Sequence, residues 1–180
     1  MKGLTLASAI ALCACAHPAM AATTSAPQSL DIYLTGHVAA RCGFKTPPAS
    51  SLDLHDLSQG GSASVGFTLD CNTPFEMRAA SSNGGLQSDH DSANGFTDRV
   101  DYNVGLSFAT DLGSSAATIA AADLPRTVSA KSGASVSSGS GVAIGTDGSI
   151  TVSWKRPDGD IRRVAGAYRD TITIVVEARS

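Results

Sequence analysis

The chain has 180 residues, a formal net charge of −3 and 16% charged side chains. Its length suits about one domain. The mildly acidic balance and the absence of a basic patch argue against nucleic-acid binding, because that binding draws its affinity from neutralising phosphates. Beyond the first 21 residues, no apolar run reaches the ~18 residues that a membrane-spanning helix needs.

Residues 1–21 have the layout of a secretory signal peptide. Lys2 provides a short basic start, residues 4–16 form an apolar run, and the small residues Ala19 and Ala21 precede the expected cleavage point. Removing 21 of the 180 residues leaves a mature chain of 159 and changes the net charge from −3 to −4. The sequence therefore predicts an exported protein.

The four cysteines become two after cleavage, because Cys13 and Cys15 lie within the signal. In an exported chain we expect Cys42 and Cys71 to form one disulfide. Closing that loop stabilises the fold by roughly 3–4 kcal/mol in the chain-entropy description. One alternative for the signal remains open: residues 12–15 loosely resemble a lipoprotein processing site, which would make Cys15 a lipidated first residue.

Alternation of apolar and polar residues with period two recurs along the chain and predicts an all-β protein. The alternating segments are 30–42, 65–71, 75–79, 100–108, 150–154 and 172–178. Because each segment has one apolar and one polar face, we expect an antiparallel β-sandwich rather than a parallel sheet. The stretch 113–141, rich in Ser, Ala and Gly, is interpreted as a long loop with one or two weak strands.

The two ends of the chain differ from those of a complete seven-stranded immunoglobulin-like sandwich. Only Arg179 and Ser180 follow the last alternating segment, 172–178, so the pattern predicts a fold without a final strand. The first alternating segment, 30–42, is long for one strand of a small sandwich. The sequence thus predicts a missing strand at one end and a surplus strand at the other.

Three sequence stretches carry a family resemblance: SLDIYLTGHVAARCGF at the first mature cysteine, GFTLDC at the second, and GAYRDTITIVVEA near the end. They resemble bacterial chaperone–usher pilus subunits, in the branch of spore coat protein U-like and archaic fimbrial pilins. The last strand of such subunits commonly begins with a Gly-x-Tyr-x-Asp-Thr motif, matched here by Gly166, Tyr168, Asp170 and Thr171. The resemblance covers nearly the whole mature chain except 113–141.

The resemblance implies an incomplete immunoglobulin-like antiparallel β-sandwich that lacks the final strand and is completed by donor-strand exchange. Residues 22–36 would be the N-terminal donor-strand extension, and 37–180 the pilin-type domain. A periplasmic chaperone would fill the open groove first, and at the outer-membrane usher the extension of the next subunit would replace it. The implied location is a cell-surface fimbrium reached through the periplasm, where the fibre supports adhesion or biofilm formation.

The resemblance also assigns side chains to both halves of this contact. The donor-strand residues would be Leu30, Ile32, Leu34, Gly36 and Val38. The C-terminal strand would line the acceptor groove with Tyr168, Ile172, Ile174 and Val176. Because such a contact is head-to-tail and does not close, its repetition with other pilin subunits produces a fibre.

The sequence offers no convergent set of catalytic residues. His37, His55 and His90 are scattered, and no serine lies in a nucleophile-elbow motif. The Asp-His-Asp run at 89–91 fits no calcium-loop spacing and is interpreted as solvated loop charge. We therefore predict a protein that is not an enzyme and needs no cofactor or metal. The alternative function is a self-contained secreted β-sandwich binding module, or a spore or cell-surface coat protein, with 113–141 completing the fold.

Overall fold

A computed structural model describes residues 28–128 and 134–179. Its strands are β1 (Cys42–Thr46), β2 (Gly61–Cys71), β3 (Phe75–Ser81), β4 (Leu86–Ser88), β5 (Phe96–Thr97), β6 (Arg99–Val100), β7 (Tyr102–Thr110), β8 (Gly113–Ala120), β9 (Ser135–Ser137), β10 (Ala143–Trp154), β11 (Arg162–Arg163), β12 (Tyr168–Arg169) and β13 (Ile172–Ala178). One 3-10 turn, Ala121–Asp123, is the single helical element in the described ranges. The all-β prediction is confirmed. The predicted signal, 1–21, lies outside the described residues.

The strands form one large sheet and several smaller ones. The large sheet has the order β1-β2-β10-β7-β8 and is antiparallel throughout. A second antiparallel sheet has the order β13-β3-β9, and a third has the order β12-β4-β6. The short pair β5–β11 is parallel, an exception to the antiparallel arrangement expected from the sequence.

The core lies between the large sheet and the β13-β3-β9 sheet. Alternate residues are buried along β7 and along the first part of β3, as the period-two pattern predicts; in β3 they are Phe75, Met77 and Ala79, all with no exposed surface. The Phe75 ring of β3 packs against Phe108 of β7, with ring centroids 4.9 Å apart. Because β3 and β7 belong to different sheets, this contact joins the two layers, in agreement with a β-sandwich.

Cys42 and Cys71 form the predicted disulfide. Cys42 begins β1, Cys71 ends β2, and the two residues are opposite each other in the antiparallel register. The bridge therefore fixes an edge strand to a strand that is paired on both sides.

Two strands, β8 and β9, lie within 113–141, where the sequence predicts a long loop with one or two weak strands. Residues Gly113–Ala120 form β8, which pairs with β7 along its whole length, so that Ile119 lies opposite Val104. Small residues such as Ala116 and Ala117 have weak intrinsic strand preference, and the neighbouring strand decides their conformation. Of the remainder, residues 129–133 lie outside the described part of the chain.

The chain divides into two units, Met1–His37 and Val38–Ser180. In the described part of the first unit, residues 28–37, the backbone forms no strand. Leu30, Ile32 and Leu34 are 83%, 72% and 90% exposed. The alternating segment 30–42 is thus not one strand here: only its last residue, Cys42, is in β1.

Candidate strand-acceptor groove

Two edge strands of different sheets lie beside each other. Among the described strands, β1 pairs only with β2, and β13 pairs only with β3. The two edges contact each other without forming a ladder. An edge strand presents backbone N–H and C=O groups that can pair with an added strand.

A groove of about 1670 Å³ opens next to these edges in the second unit. Three sheets contribute apolar side chains to it: Phe44, Val65, Leu86, Tyr102, Ile150, Val152, Ile172 and Ile174. Several of them, including Phe44 and Val65, are only half-buried although they pack against the core. Small-molecule sites usually enclose ~300–1,000 Å³, so this groove has the size of a site for a chain segment.

The structure places the residues assigned to the C-terminal strand as follows. Tyr168, Ile172 and Ile174 line the groove. The assignment of Tyr168 to the last strand is wrong, because Tyr168 lies in β12, which pairs with β4 and not with β3. Val176 is half-buried and packs against the core without lining the groove. The Tyr168 hydroxyl donates hydrogen bonds to the carbonyls of Val164 (2.8 Å) and Thr97 (3.2 Å), and burial raises the pKa of Tyr168.

The residues assigned to the donor strand are exposed. Leu30, Ile32 and Leu34 belong to the first unit and are described above; Gly36 lies in the same unit and is also exposed. Val38, the first residue of the second unit, is 82% exposed. Five residues that alternate along the chain therefore present apolar or small groups to solvent.

The carboxylate of Asp170 accepts several hydrogen bonds at the end of the groove next to β13. Asp170 accepts hydrogen bonds from the hydroxyls of Ser81 (2.6 Å) and Tyr102 (2.7 Å) and from the backbone N–H groups of Asn83 (3.0 Å) and Gly85 (3.2 Å). Burial alone would raise the pKa of Asp170, but these hydrogen bonds, led by those from Ser81 and Tyr102, outweigh it and lower the pKa. The pKa of Tyr102 is raised, mainly by burial.

A loop that sequence reasoning missed also lines the groove. Residues 47–58 lie between β1 and β2 without forming a strand. Leu52, Leu54 and Leu57 are half-buried, line the groove and pack against the core. The signal was present in the sequence, because Leu52 and Leu54 alternate with polar residues as strand residues do.

The groove lining also includes a partly buried arginine, Arg163. The Nη2 group of Arg163 donates to the Lys155 carbonyl (2.6 Å). In the described part of the chain, its Nε and Nη1 atoms are buried without a hydrogen-bond partner. Burial lowers the pKa of Arg163, although Tyr168 and Asp56 oppose this effect. The N–H groups of this guanidinium are able to donate hydrogen bonds to a carboxylate of an occupant of the groove.

The polar run at 89–91 contains a hydrogen bond between neighbouring side chains and not a cluster of metal ligands. His90 Nδ1 lies 2.8 Å from Asp89 Oδ1, and this hydrogen bond lowers the pKa of Asp89. Within the described residues, no three His, Cys, Asp or Glu side chains are grouped as metal ligands. No helix in those ranges is long and apolar enough to cross a membrane.

Neither a protein-family model nor a curated protein matches the chain.

Proposed function

We propose that this protein is a structural subunit of a fimbrial fibre that polymerises by inserting its N-terminal strand into the groove of a neighbouring subunit. The observation that carries the proposal is the apolar groove beside the unpaired edges of β1 and β13. Such a site suits strand addition, in which main-chain hydrogen bonds supply affinity and alternate side chains fill pockets.

The donor segment has the chemistry that this groove requires. Its apolar residues Leu30, Ile32, Leu34 and Val38 recur with period two, so in an extended strand they face the same side. Burying four such side chains contributes roughly 6–12 kcal/mol before the cost of ordering the segment, at about 1.5–3 kcal/mol each. Gly36, which has no side chain, suits the shallowest point of the groove.

The same geometry explains the need for partners during export. An open apolar groove flanked by unpaired strand edges promotes aggregation. In the proposed pathway a periplasmic chaperone covers the groove, and an outer-membrane usher exchanges the chaperone for the next subunit. The fibre would then lie at the cell surface, where it supports adhesion or biofilm formation.

The donor face is tested by comparing two changes at neighbouring positions. The double variant Ile32→Asp, Leu34→Asp places charge on the inserted face, and we expect it to reach the periplasm but form no fibres. The control Tyr33→Asp alters the opposite face of the strand, at a residue that is 95% exposed, and should form fibres. Electron microscopy and size-exclusion chromatography measure the outcome. Normal fibres from the double variant would refute the assigned donor face.

The acceptor groove is tested with one variant and a matched control on β13. Ile174→Asp puts a charge into the groove, whereas Thr173→Asp changes an exposed neighbour on the same strand. We expect only the first to abolish binding of a synthetic peptide of residues 28–40.

A deletion experiment tests the proposal as a whole. Residues 22–180 are expressed in the periplasm with and without deletion of 22–35. A pilus subunit should self-associate or need a partner, and the truncated form should still bind that partner. If the longer form is a stable monomer without a chaperone and the deletion unfolds it, donor-strand exchange is wrong.

A further inference from the structure

The loop 47–58 contacts the groove through side chains and not through its backbone. Leu52, Leu54 and Leu57 are its half-buried residues, and all three pack against the core. Within the described part of the chain, no backbone–backbone hydrogen bond links 47–58 to a strand. The loop therefore covers apolar groove surface without using the free strand edges.

The hydrogen bonds of this loop are local. Asp53 accepts one from the His55 N–H (2.8 Å), and Asp56 accepts two from Ser58 (2.8 Å each). His55 has a φ of 57°, a left-handed conformation that costs a non-glycine residue free energy. These turns shape the loop but do not attach it to either sheet.

Both ends of the loop are anchored. On one side the loop follows β1, which the disulfide holds to β2. On the other side the indole of Trp154 donates a hydrogen bond to the Gln59 carbonyl (2.8 Å). A segment of this length can move out of the groove while its two ends stay in place.

We propose that residues 47–58 are a displaceable cover of the acceptor groove, whose leucines protect apolar surface until an incoming donor strand replaces them. This inference rests on the proposed function. The donor strand binds the groove more stably than the cover does, because it adds main-chain hydrogen bonds to the edges of β1 and β13. The cover forms no such bonds with these edges. The cover thereby limits premature exposure of the groove and slows strand insertion.

The first test measures how fast a donor peptide binds. The protein is the full mature chain carrying Ile32→Asp and Leu34→Asp, so that its own segment does not compete, and the probe is a fluorescent peptide of residues 28–40. Adding Leu52→Ser and Leu54→Ser should accelerate binding at least tenfold. The matched control is Leu112→Ser, a leucine that is 70% exposed in the turn between β7 and β8; it should leave the rate unchanged.

The second test follows the position of the cover directly. It replaces one leucine of the cover instead of the two serine substitutions of the first test. A thiol is introduced by Leu54→Cys in the same chain, and its reaction with a maleimide is timed. We expect labelling to accelerate at least tenfold when the unlabelled peptide is bound.

The outcomes separate the two proposals. If the peptide binds but neither rate changes, the cover is refuted while strand acceptance stands. If the peptide binds none of the variants, both proposals are overturned.

Discussion

The Tyr102 hydroxyl donates a hydrogen bond of 2.7 Å to Asp170 Oδ2, across 68 positions of sequence. Tyr102 begins β7 in the large sheet, and Asp170 lies in the two-residue connection between β12 and β13. The same carboxylate holds Ser81 at the end of β3. One side chain therefore fixes the start of β13, which forms a wall of the groove, to both sheets.

Replacing this carboxylate should destabilise the fold strongly. Asp170→Ala leaves several partly buried donors without an acceptor, and we expect a loss of about 3 kcal/mol in the free energy of unfolding. The control Tyr102→Phe removes one hydroxyl from the same network and should cost about 1 kcal/mol. Urea unfolding of the Ile32→Asp, Leu34→Asp chain, in which assembly is blocked, measures both. Equal losses would contradict the central role of Asp170.

The same network predicts sensitivity to acid. Because the folded pKa of Asp170 is lowered, its contribution is present above the unfolded pKa of about 4 and is lost as the pH falls through the folded value. The pKa values of Asp56, Glu76 and Asp89 are also lowered, so every variant loses some stability in acid.

The comparison that isolates Asp170 is with Asp170→Asn. Between pH 6 and pH 3 the chain with Asp170 should lose more unfolding free energy than the Asn variant. Parallel pH profiles for the two proteins would show that the carboxylate charge contributes nothing.

Gly148 has no room for a side chain. A Cβ there would overlap the ring of Phe67, which is 3% exposed, and would lie 2.8 Å from the Ser107 carbonyl oxygen. We expect Gly148→Ala to destabilise the fold by about 1–3 kcal/mol through overpacking. Gly66→Ala is the matched control, because its Cβ would meet nothing closer than 3.8 Å. Thermal unfolding compares them, and a larger loss for the Gly66 variant would contradict this packing.

Removing the disulfide should lower stability without changing the strand pairing. Because Cys42 and Cys71 are 29 positions apart, we expect Cys42→Ala, Cys71→Ala to lose roughly 3–4 kcal/mol on the chain-entropy description. Urea unfolding with and without reductant measures the loss. The double variant should be insensitive to reductant, whereas the parent should fall to its level when reduced.

Much of the fold could be predicted because its strands are strongly alternating. Segments 100–108 and 172–178 correspond closely to β7 and β13. Other boundaries depend on distant partners: β2 begins at Gly61, earlier than its apolar pattern, because that residue pairs with Trp154 of β10. A residue with so little strand preference joins a strand only when its neighbour is already in place.

Fewer features of the groove than of the fold could be predicted from the sequence. Alternation predicts that the apolar residues Ile172 and Ile174 share one face of a strand, and the family resemblance assigns that face to the groove, which both residues line. The role of Asp170 was not found, because its partners Ser81 and Asn83 are nearly 90 positions away and meet it only after folding. The cover was missed because three leucines in a polar loop resemble a short strand as much as a groove contact.

In the fibre proposed above, the disulfide would have a mechanical consequence under tension. Pulling on the donor segment loads the chain at Cys42, and the bridge transfers that load directly to Cys71 at the end of the eleven-residue β2. The force then acts on a strand bonded on both sides, and the hydrogen bonds of β1 are bypassed. The bridge prevents the segment between the two cysteines, which includes the cover, from extending under this load. A stretched fibre would therefore lengthen elsewhere before this part of the subunit unravels.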